Sequence, residues 1–566
     1  MKEQKWWKSY DKGVPHTLEP YPGTTLLDAF IETARQKPQE TCVIFGGKHI
    51  TYGEMDRLSD AMGAALAANQ VMRGDMVAII LPNSPEFIVA QVGAWKAGAV
   101  PVPLNPLYTA DEMRNGINQS GAKVAVVYSP LYRAVKSLQS LHPRMRMVIA
   151  ADVEGYPNLV AKSPTFTAGP DSEGRPATLH IGDAWLTDLL SKYANSQQPP
   201  VKVSGDDVAL ILQSGGTIGI PRGIMLTHKA LLAEAMQIRA WLKPVLADRE
   251  DIILLNLPLF HVFGNAALMS TAILGRYPMA LVPDPRNHDD MINIIQKVHP
   301  AIFAGVPTLF SGLMKDPAVI SKAVDFSSVK LAVSGAAPLS ADIKERFTQL
   351  TGIRLIQGYG LTETSAAIIC EPAAKTGKPG SIGIPLPDVA VKIVDTETGR
   401  RDLTSGQEGE IIVKCPQVML GFYNSLEETA EMLRDGWLYT GDVGYLDKDG
   451  YIFITARKKE LIKVSGFQVW PQEVVAVIKA HPAVEDVCVR GIPDPLQGES
   501  VKAWIVLKKG QQLSGEELRA YCRQKLTAYK IPRHVEFRDD LPRSLDGQQL
   551  CRKLVEEEKA KTASGV

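Results

Sequence analysis

With 566 residues, the chain is too long for one hydrophobic core, so at least two domains are expected. Its composition, 45% hydrophobic and 22% charged, is that of a globular protein. The 62 basic residues equal the 62 acidic ones, and a neutral balance removes the electrostatic case for a nucleic-acid partner or strong attraction to anionic membranes.

The six cysteines, Cys42, Cys370, Cys415, Cys488, Cys522 and Cys551, are scattered without a Cys-x-x-Cys pair. That pattern indicates neither a zinc site nor a disulfide framework, and buried thiols in a reducing cytoplasm are expected. The start, Met1 to Trp7, lacks the apolar core of a signal peptide. No apolar run reaches the length of about 18 residues that a membrane span needs. Trp6-Trp7 beside lysines suits either a weak peripheral membrane contact or the cap of a hydrophobic groove.

In chain order, Leu26 to Gln36 has the spacing of an amphipathic helix. Cys42–Phe45 and His49–Tyr52 flank Gly46-Gly47, a hairpin signal. Tyr52 to Asn69 reads as helix and Met76–Leu81 as a buried strand. Pro85 to Lys96 is helical, with proline in its first turn, and Val100 to Val102 is a strand. Helix over Ala110 to Ser120 and strand over Val124–Tyr128 continue the rhythm. Such βαβ alternation predicts mostly parallel sheets covered by helices. Residues 152–200, rich in Pro, Gly, Ser and Asp, read as a surface insertion and linker. A second α/β run covers about 206–375. From about 376 to 455 short strands alternate with turns, as expected of a small barrel or sandwich. A compact α+β module follows Arg457: helix 471–480, strands 484–489 and 501–507, helix 514–526. The tail from Leu554 to Val566 is expected to fray.

Chemistry concentrates in Ser214-Gly215-Gly216-Thr217-Ile218-Gly219-Ile220-Pro221-Arg222-Gly223. A strand, Val208–Leu212, precedes it. Ile224–Leu226 follows, and Thr227 is placed to cap a helix from His228. Glycines let backbone N–H groups turn toward an anion, and hydroxyls and a cation complete such a site. The pattern is not a Walker loop, which ends in Gly-Lys-Ser/Thr on a helix. Nor is it the dinucleotide fingerprint, because the glycine spacing differs. By itself it is a phosphate cradle or a tight turn.

Its neighbours narrow the choice. Gln357-Gly358-Tyr359-Gly360-Leu361-Thr362-Glu363 offers close backbone approach, a stacking face at Tyr359 and an oxygen ligand for Mg²⁺ at Glu363. Ser334-Gly335-Ala336-Ala337 has side chains small enough to admit a purine edge. Asp442, in Tyr439-Thr440-Gly441-Asp442, is placed to hold ribose hydroxyls, and Arg457 to meet a ribose or phosphate.

Taken in order, these segments resemble those of the adenylate-forming superfamily, and within it the bacterial fatty-acid–CoA ligases. Trp95–Ala99 through Asn105–Thr109, the 214–223 loop and Pro258-Leu259-Phe260-His261 carry the likeness, which spans nearly the whole chain. The resemblance implies an α/β fold. A large N-terminal domain, 1–457, holds two helix-covered, mostly parallel sheets and a small β-barrel, in subdomains of about 1–200, 201–375 and 376–457. A smaller, mobile α+β domain, 458–566, follows a hinge near Lys459. It also implies ATP-dependent conversion of a fatty or similar apolar acid to acyl-adenylate and then acyl-CoA, with Mg²⁺ as cofactor, ATP and CoA as co-substrates, no nucleic acid, and a cytoplasmic monomer or homodimer.

Residue by residue, the resemblance puts Ser214, Gly215, Gly216, Thr217, Gly219 and Arg222 on the phosphates, and Thr217 with Glu363 on the metal. Gly335, Ala336, Ala337, Gln357, Gly358, Tyr359, Gly360, Thr362, Asp442 and Arg457 face the nucleotide. His261 lines the acyl tunnel, while Lys463, Ser465, Gly466 and Phe467 lie on the CoA side. Two positions depart from the family pattern. Ile218 replaces a hydroxyl, and Gln548, in Leu541-Pro542-Arg543-Ser544-Leu545-Asp546-Gly547-Gln548, stands where the family has its catalytic lysine. Loss of one such charge–phosphate contact costs about 2–4 kcal/mol of transition-state stabilisation. Three readings stay open: slow adenylation, an enzyme running mainly the thioester half-reaction, or a binder of acyl-adenylate or acyl-CoA.

Overall fold

The computed structural model describes residues 4–153, 178–213, 222–246, 251–284, 287–460, 462–464, 467–469, 471–494, 498–543 and 549–563. The chain divides into two compact units. One comprises Met1–Ala390 with Lys414–Leu438; the other comprises Val391–Val413 with Tyr439–Val566.

The first unit contains a nine-stranded sheet and a five-stranded sheet. In the larger sheet, Thr41–Phe45, Met279–Leu281, Ile253–Leu255, Ile302–Gly305, Leu331–Ser334 and Leu355–Leu361 lie side by side, each pair parallel. Antiparallel strands close both edges. The smaller sheet orders Val100–Pro103, Met76–Ile80, Val124–Tyr128, Met147–Ala151 and Ala184–Trp185, all parallel. Helices cover these sheets, as the alternating pattern requires. Their ends are fixed by sequence chemistry: Thr25, Thr51 and Thr109 each form a capping box with the acid three residues on. Trp95 is fully buried and its indole N–H donates to Ala209 O. Around the larger sheet, Phe303, Phe310 and Phe347 pack into an aromatic cluster at the centre of the core. A three-stranded antiparallel sheet comprises Val208–Gln213, Gly223–Thr227 and Gly421–Phe422, its first two strands lying on either side of residues 214–221 in sequence.

In the second unit the short-strand region contributes Ala390–Val394, Gly409–Lys414, Trp437–Leu446 and Ile452–Arg457 to a five-stranded sheet. Beyond it lies another five-stranded sheet, built on the long hairpin Val484–Asp494 and Gly498–Leu507. The helices Pro471–Lys479 and Gly515–Arg523 supply Val474, Ile478, Leu518 and Cys522 to its core.

Three expectations are corrected. The tail is ordered as far as it is described: Cys551–Ala563 is a helix, in which Leu554 and Val555 pack against Trp504, Ile492 and Leu541. The same packing brings Cys551 to Cys488, and the two form a disulfide with S–S 2.07 Å, overturning the expectation that no disulfide forms. The pair is separated by 63 residues, so spacing gave no sign of it. Cys42, Cys370, Cys415 and Cys522 are buried thiols, as expected. Finally, the 152–200 stretch is not all linker. Ala184–Trp185 adds an edge strand, and Leu186–Lys192 is a helix that buries Leu186 and Leu189.

Near the start, Trp6 is buried and Trp7 stacks on His16 with ring centroids 4.4 Å apart. Among the described residues no helix is long and apolar enough to cross a membrane.

Candidate active site

Three of the predicted segments meet at the ends of the parallel strands of the first unit. Ser334 ends its strand in register with Gln357. Gly335 follows, donating its N–H to Gly305 O, and a Cβ there would lie 2.7 Å from Phe263 Cε1. Phe263 thus abuts the small-residue segment directly, and brings the 258–261 motif against the 334–337 turn. Ala336 adopts φ 64°, the left-handed conformation that L side chains rarely take. Such strain is retained where the surroundings impose a shape. Ala336 is exposed and Ala337 half-buried.

The Gln357–Gly360 segment is not the loop its glycines suggest. It belongs to the strand Leu355–Leu361, which leaves its parallel neighbour and turns into an antiparallel hairpin with Ala366–Cys370. Gly360 serves this hairpin: a Cβ there would lie 1.4 Å from Ala366 O. Gln357 is anchored by Glu371, whose Oε2 accepts its N–H at 2.7 Å and whose Oε1 pairs with Lys344 at 2.6 Å. Gly358, Tyr359 and Thr362 are half-buried along this edge. Glu363 sits in the single turn Thr362–Thr364 and is half-buried. Its main-chain oxygen accepts the Met419 N–H at 2.8 Å.

The segment after Gln417 also holds the exit of the glycine-rich loop. Tyr423 N–H donates to Gly223 O at 2.7 Å and Leu420 N–H to Met225 O at 2.9 Å. Arg222 and Glu363 are therefore fastened to one strip of chain, 419–423. Sequence reasoning missed this strip, which carries no motif of its own. The Arg222 guanidinium lies 5.5 Å over the Phe422 ring and pairs with Glu428 at 2.5 Å. Ser214, Gly215, Gly216, Thr217, Ile218 and Gly219 lie outside the described residues.

His261 is exposed and its Nδ1 accepts the Phe263 N–H at 3.2 Å. The turn beneath it hangs on Asn83, also missed from sequence. Buried Asn83 accepts from Leu259 N–H at 2.8 Å and donates to Leu257 O at 2.9 Å. Its only outward sign was a polar residue directly after the buried strand, where it reads as part of a helix start.

In the second unit, Asp442 and Arg457 are register partners on adjacent antiparallel strands, joined Nε to Oδ1 at 3.1 Å. Asp442 is buried while Arg457 is half exposed. The neighbouring guanidinium offsets part of the cost of burying the Asp442 carboxylate. Glu410, buried and unanticipated, accepts from Gly441 N–H at 3.2 Å and pairs with Lys458 at 2.6 Å. Lys458 is thus part of a charged row and not merely an exposed cation. Lys459 lies in the turn Lys458–Glu460. Lys463 and Phe467 are on the paired strands Ile462–Val464 and Phe467–Val469. Ser465, Gly466 and Gln548 lie outside the described residues.

The family model for AMP-binding enzymes matches residues 30–423. The chain belongs to the AMP-binding enzyme family. The family's C-terminal domain matches residues 473–547. A long-chain-fatty-acid–CoA ligase of Bacillus subtilis is 36% identical over 99% of both chains. One from Escherichia coli O157:H7 is 33% identical over 98% of both. ATP-bound MatB from Rhodopseudomonas palustris superposes with a TM-score of 0.81 at 27% identity, covering 95% of this chain and 99% of that one. With relatives of this kind matched end to end, the chain is an acid–thiol ligase of the AMP-binding family.

Proposed function

We propose that this family member activates a fatty or similarly apolar carboxylic acid. The acid's carboxylate oxygen attacks the α-phosphorus of ATP, the bond to the β-phosphate bridging oxygen breaks, and pyrophosphate leaves. The CoA sulfur then attacks the acyl carbon, AMP departs with the electron pair of the C–O bond, and the thiol proton passes to solvent. The reading is carried by the end-to-end likeness to relatives named long-chain-fatty-acid–CoA ligases, at 36% and 33% identity.

The residues take the following roles. Tyr359 stacks the adenine, and Gly335, Ala336 and Ala337 border its edge, with Gln357, Gly358, Gly360 and Thr362 beside them. Asp442, oriented by Arg457, accepts from ribose hydroxyls. Ser214–Gly219 and Arg222 receive the phosphates, for which Arg222 exchanges Glu428 for a stronger anion. His261 borders the acyl path; Lys463, Ser465, Gly466 and Phe467 receive CoA. Glu363, with Thr217, offers the sparse oxygen set that suits Mg²⁺ when nucleotide phosphates complete the shell. Bound there, Mg²⁺ would neutralise charge developing on the phosphates. Rotation about Lys459 would present the two faces of the C-terminal domain in turn.

The test is AMP release from ATP, CoA and straight-chain acids from acetate to palmitate. Turnover should rise toward the longer chains; no AMP from any acid would sink the reading. Gln548 favours one alternative, an enzyme specialised for the thioester step. It predicts fast conversion of synthetic acyl-adenylate to acyl-CoA beside slow acid-dependent pyrophosphate exchange.

A further inference from the structure

Glu234 stands in the apolar run Leu231-Leu232-Ala233-Glu234-Ala235 of the helix His228–Leu242 and is fully buried. A carboxylate in such a place is expensive unless it is paired or neutral. Its Oε1 accepts the Ala367 N–H at 2.6 Å. Gln417 meets the same residue, its Nε2 donating to Ala367 O at 3.2 Å. Yet Glu234 Oε2 and Gln417 Oε1 are both buried without a hydrogen-bond partner among the described residues.

The direction of the surrounding bonds is fixed from a distance. Asp388 Oδ2 accepts from Leu18 N–H and from Tyr21 O–H, each at 2.8 Å. The Tyr21 oxygen therefore accepts from Gln237 Nε2 at 3.2 Å, which turns Gln237 Oε1 toward Gln417. Gln417 Nε2 must then be the donor, to Gln237 Oε1 and to Ala367 O at 3.2 Å. That leaves Gln417 Oε1 an acceptor with no donor among the described residues, as Glu234 Oε2 also is, on two side chains that both bond Ala367. Two acceptors repel, whereas one proton on Glu234 satisfies both. Burial also pushes the Glu234 carboxyl well above the usual carboxylate range, consistent with a neutral acid.

What this network grips is the turn after Glu363. Ser365 and Ala366 have φ 54° and 113°, consecutive positive values at residues with side chains. The turn is held by Ala367 N–H and O, as above, and by Ser365 Oγ donating to Gln417 O at 2.8 Å. Met419, two residues past Gln417, bonds Glu363 itself. We propose that Glu234, as a neutral hydrogen-bond donor to Gln417, is a positioning residue that holds the strained 365–366 turn and so aims Glu363 at the metal–nucleotide site. This rests on the role assigned to Glu363 above.

The test compares Glu234→Gln, Glu234→Leu and Glu363→Gln in pyrophosphate exchange. Glutamine can donate to Gln417 and accept from Ala367, so Glu234→Gln should keep KM for Mg-ATP within about twofold of the parent. Glu234→Leu should raise it about tenfold, with the KM for acid unchanged. The infrared band of a protonated carboxylic acid should be present in the parent at pH 8 and absent from Glu234→Gln, a readout that does not need the leucine variant to fold. A glutamine variant as impaired as leucine, an equal loss for every substrate, or no difference band overturns the proposal. If Glu363→Gln leaves the Mg-ATP KM unchanged, the Glu363 role fails, while the infrared band still decides whether Glu234 is neutral.

Discussion

Gln548 and His228 put opposite demands on charge. On the proposed reading, Gln548 takes the place of a lysine that would meet negative charge building up during adenylation. Gln548→Lys should therefore raise acid-dependent pyrophosphate exchange by about tenfold or more, with little change in thioester formation from acyl-adenylate. An unchanged exchange rate would remove position 548 from the adenylation step. At His228 the structure excludes a cation: burial lowers its pKa to about 4, and its Nδ1 has no hydrogen-bond partner among the described residues. The unfolded chain takes up that proton near pH 6.5, the folded one only near pH 4. Stability from this site is thus complete above pH 6.5 and falls between 6.5 and 4, by up to about 3 kcal/mol. Denaturant unfolding at pH 7.5 and 5 should show the loss, and His228→Phe should flatten it. At this scale the sequence spoke unevenly. Asp442 and Arg457 are register partners, whereas the sequence only placed each of them separately at a ribose or phosphate. Glu234 left one sign only, an acid inside an apolar helical run. Asn83 and Glu410 left almost none, because what matters is which distant backbone groups they meet.

The elements were legible where chemistry is local. Leu26–Gln36, Pro85–Lys96 and Ala110–Ser120 are helices over the spans that periodicity and caps predict. Thr227 caps the helix from His228 by accepting the Ala230 N–H at 3.2 Å. Thr227→Ala should cost about 1 kcal/mol in unfolding free energy. The Gly-Tyr-Gly strand was not legible, since glycine reads as a turn while here it permits Gly360 to lie against Ala366 O. Nor was the terminal helix, whose partners Trp504 and Leu541 lie elsewhere in the sequence. Truncation after Leu550 should expose that patch and lower the melting temperature of the second unit; an unchanged melting profile would contradict the packing. Between elements, Gly335 leaves no room for a side chain, since a Cβ there would lie 2.7 Å from Phe263 Cε1. Gly335→Ala should raise the KM for ATP about tenfold, and Phe263→Ala in the same chain should restore part of it by making room.

For the whole molecule, the family's two-step chemistry asks one chain to serve two reactions. Lys459→Pro would fix a backbone torsion at the proposed hinge. Pyrophosphate exchange should survive in that variant while acyl-CoA formation falls at least about tenfold; equal loss of both would place the pivot elsewhere. The broad architecture was readable because alternation of buried strands and amphipathic helices is a long-range signal repeated many times. By compactness, the chain leaves the first unit after Ala390, returns for Lys414–Leu438 and leaves again.

That return visit bears on how the protein is made. Ribosomes deliver the chain from its N-terminus, so most of the first unit emerges before residues 414–438 do. Until they arrive, the strand Gly223–Thr227 has an open edge, the Glu363 carbonyl lacks Met419, and Glu234 faces no glutamine. The proposed nucleotide site can be completed only after about three quarters of translation, and a nascent chain stalled before Lys414 would be expected to bind chaperones rather than ATP.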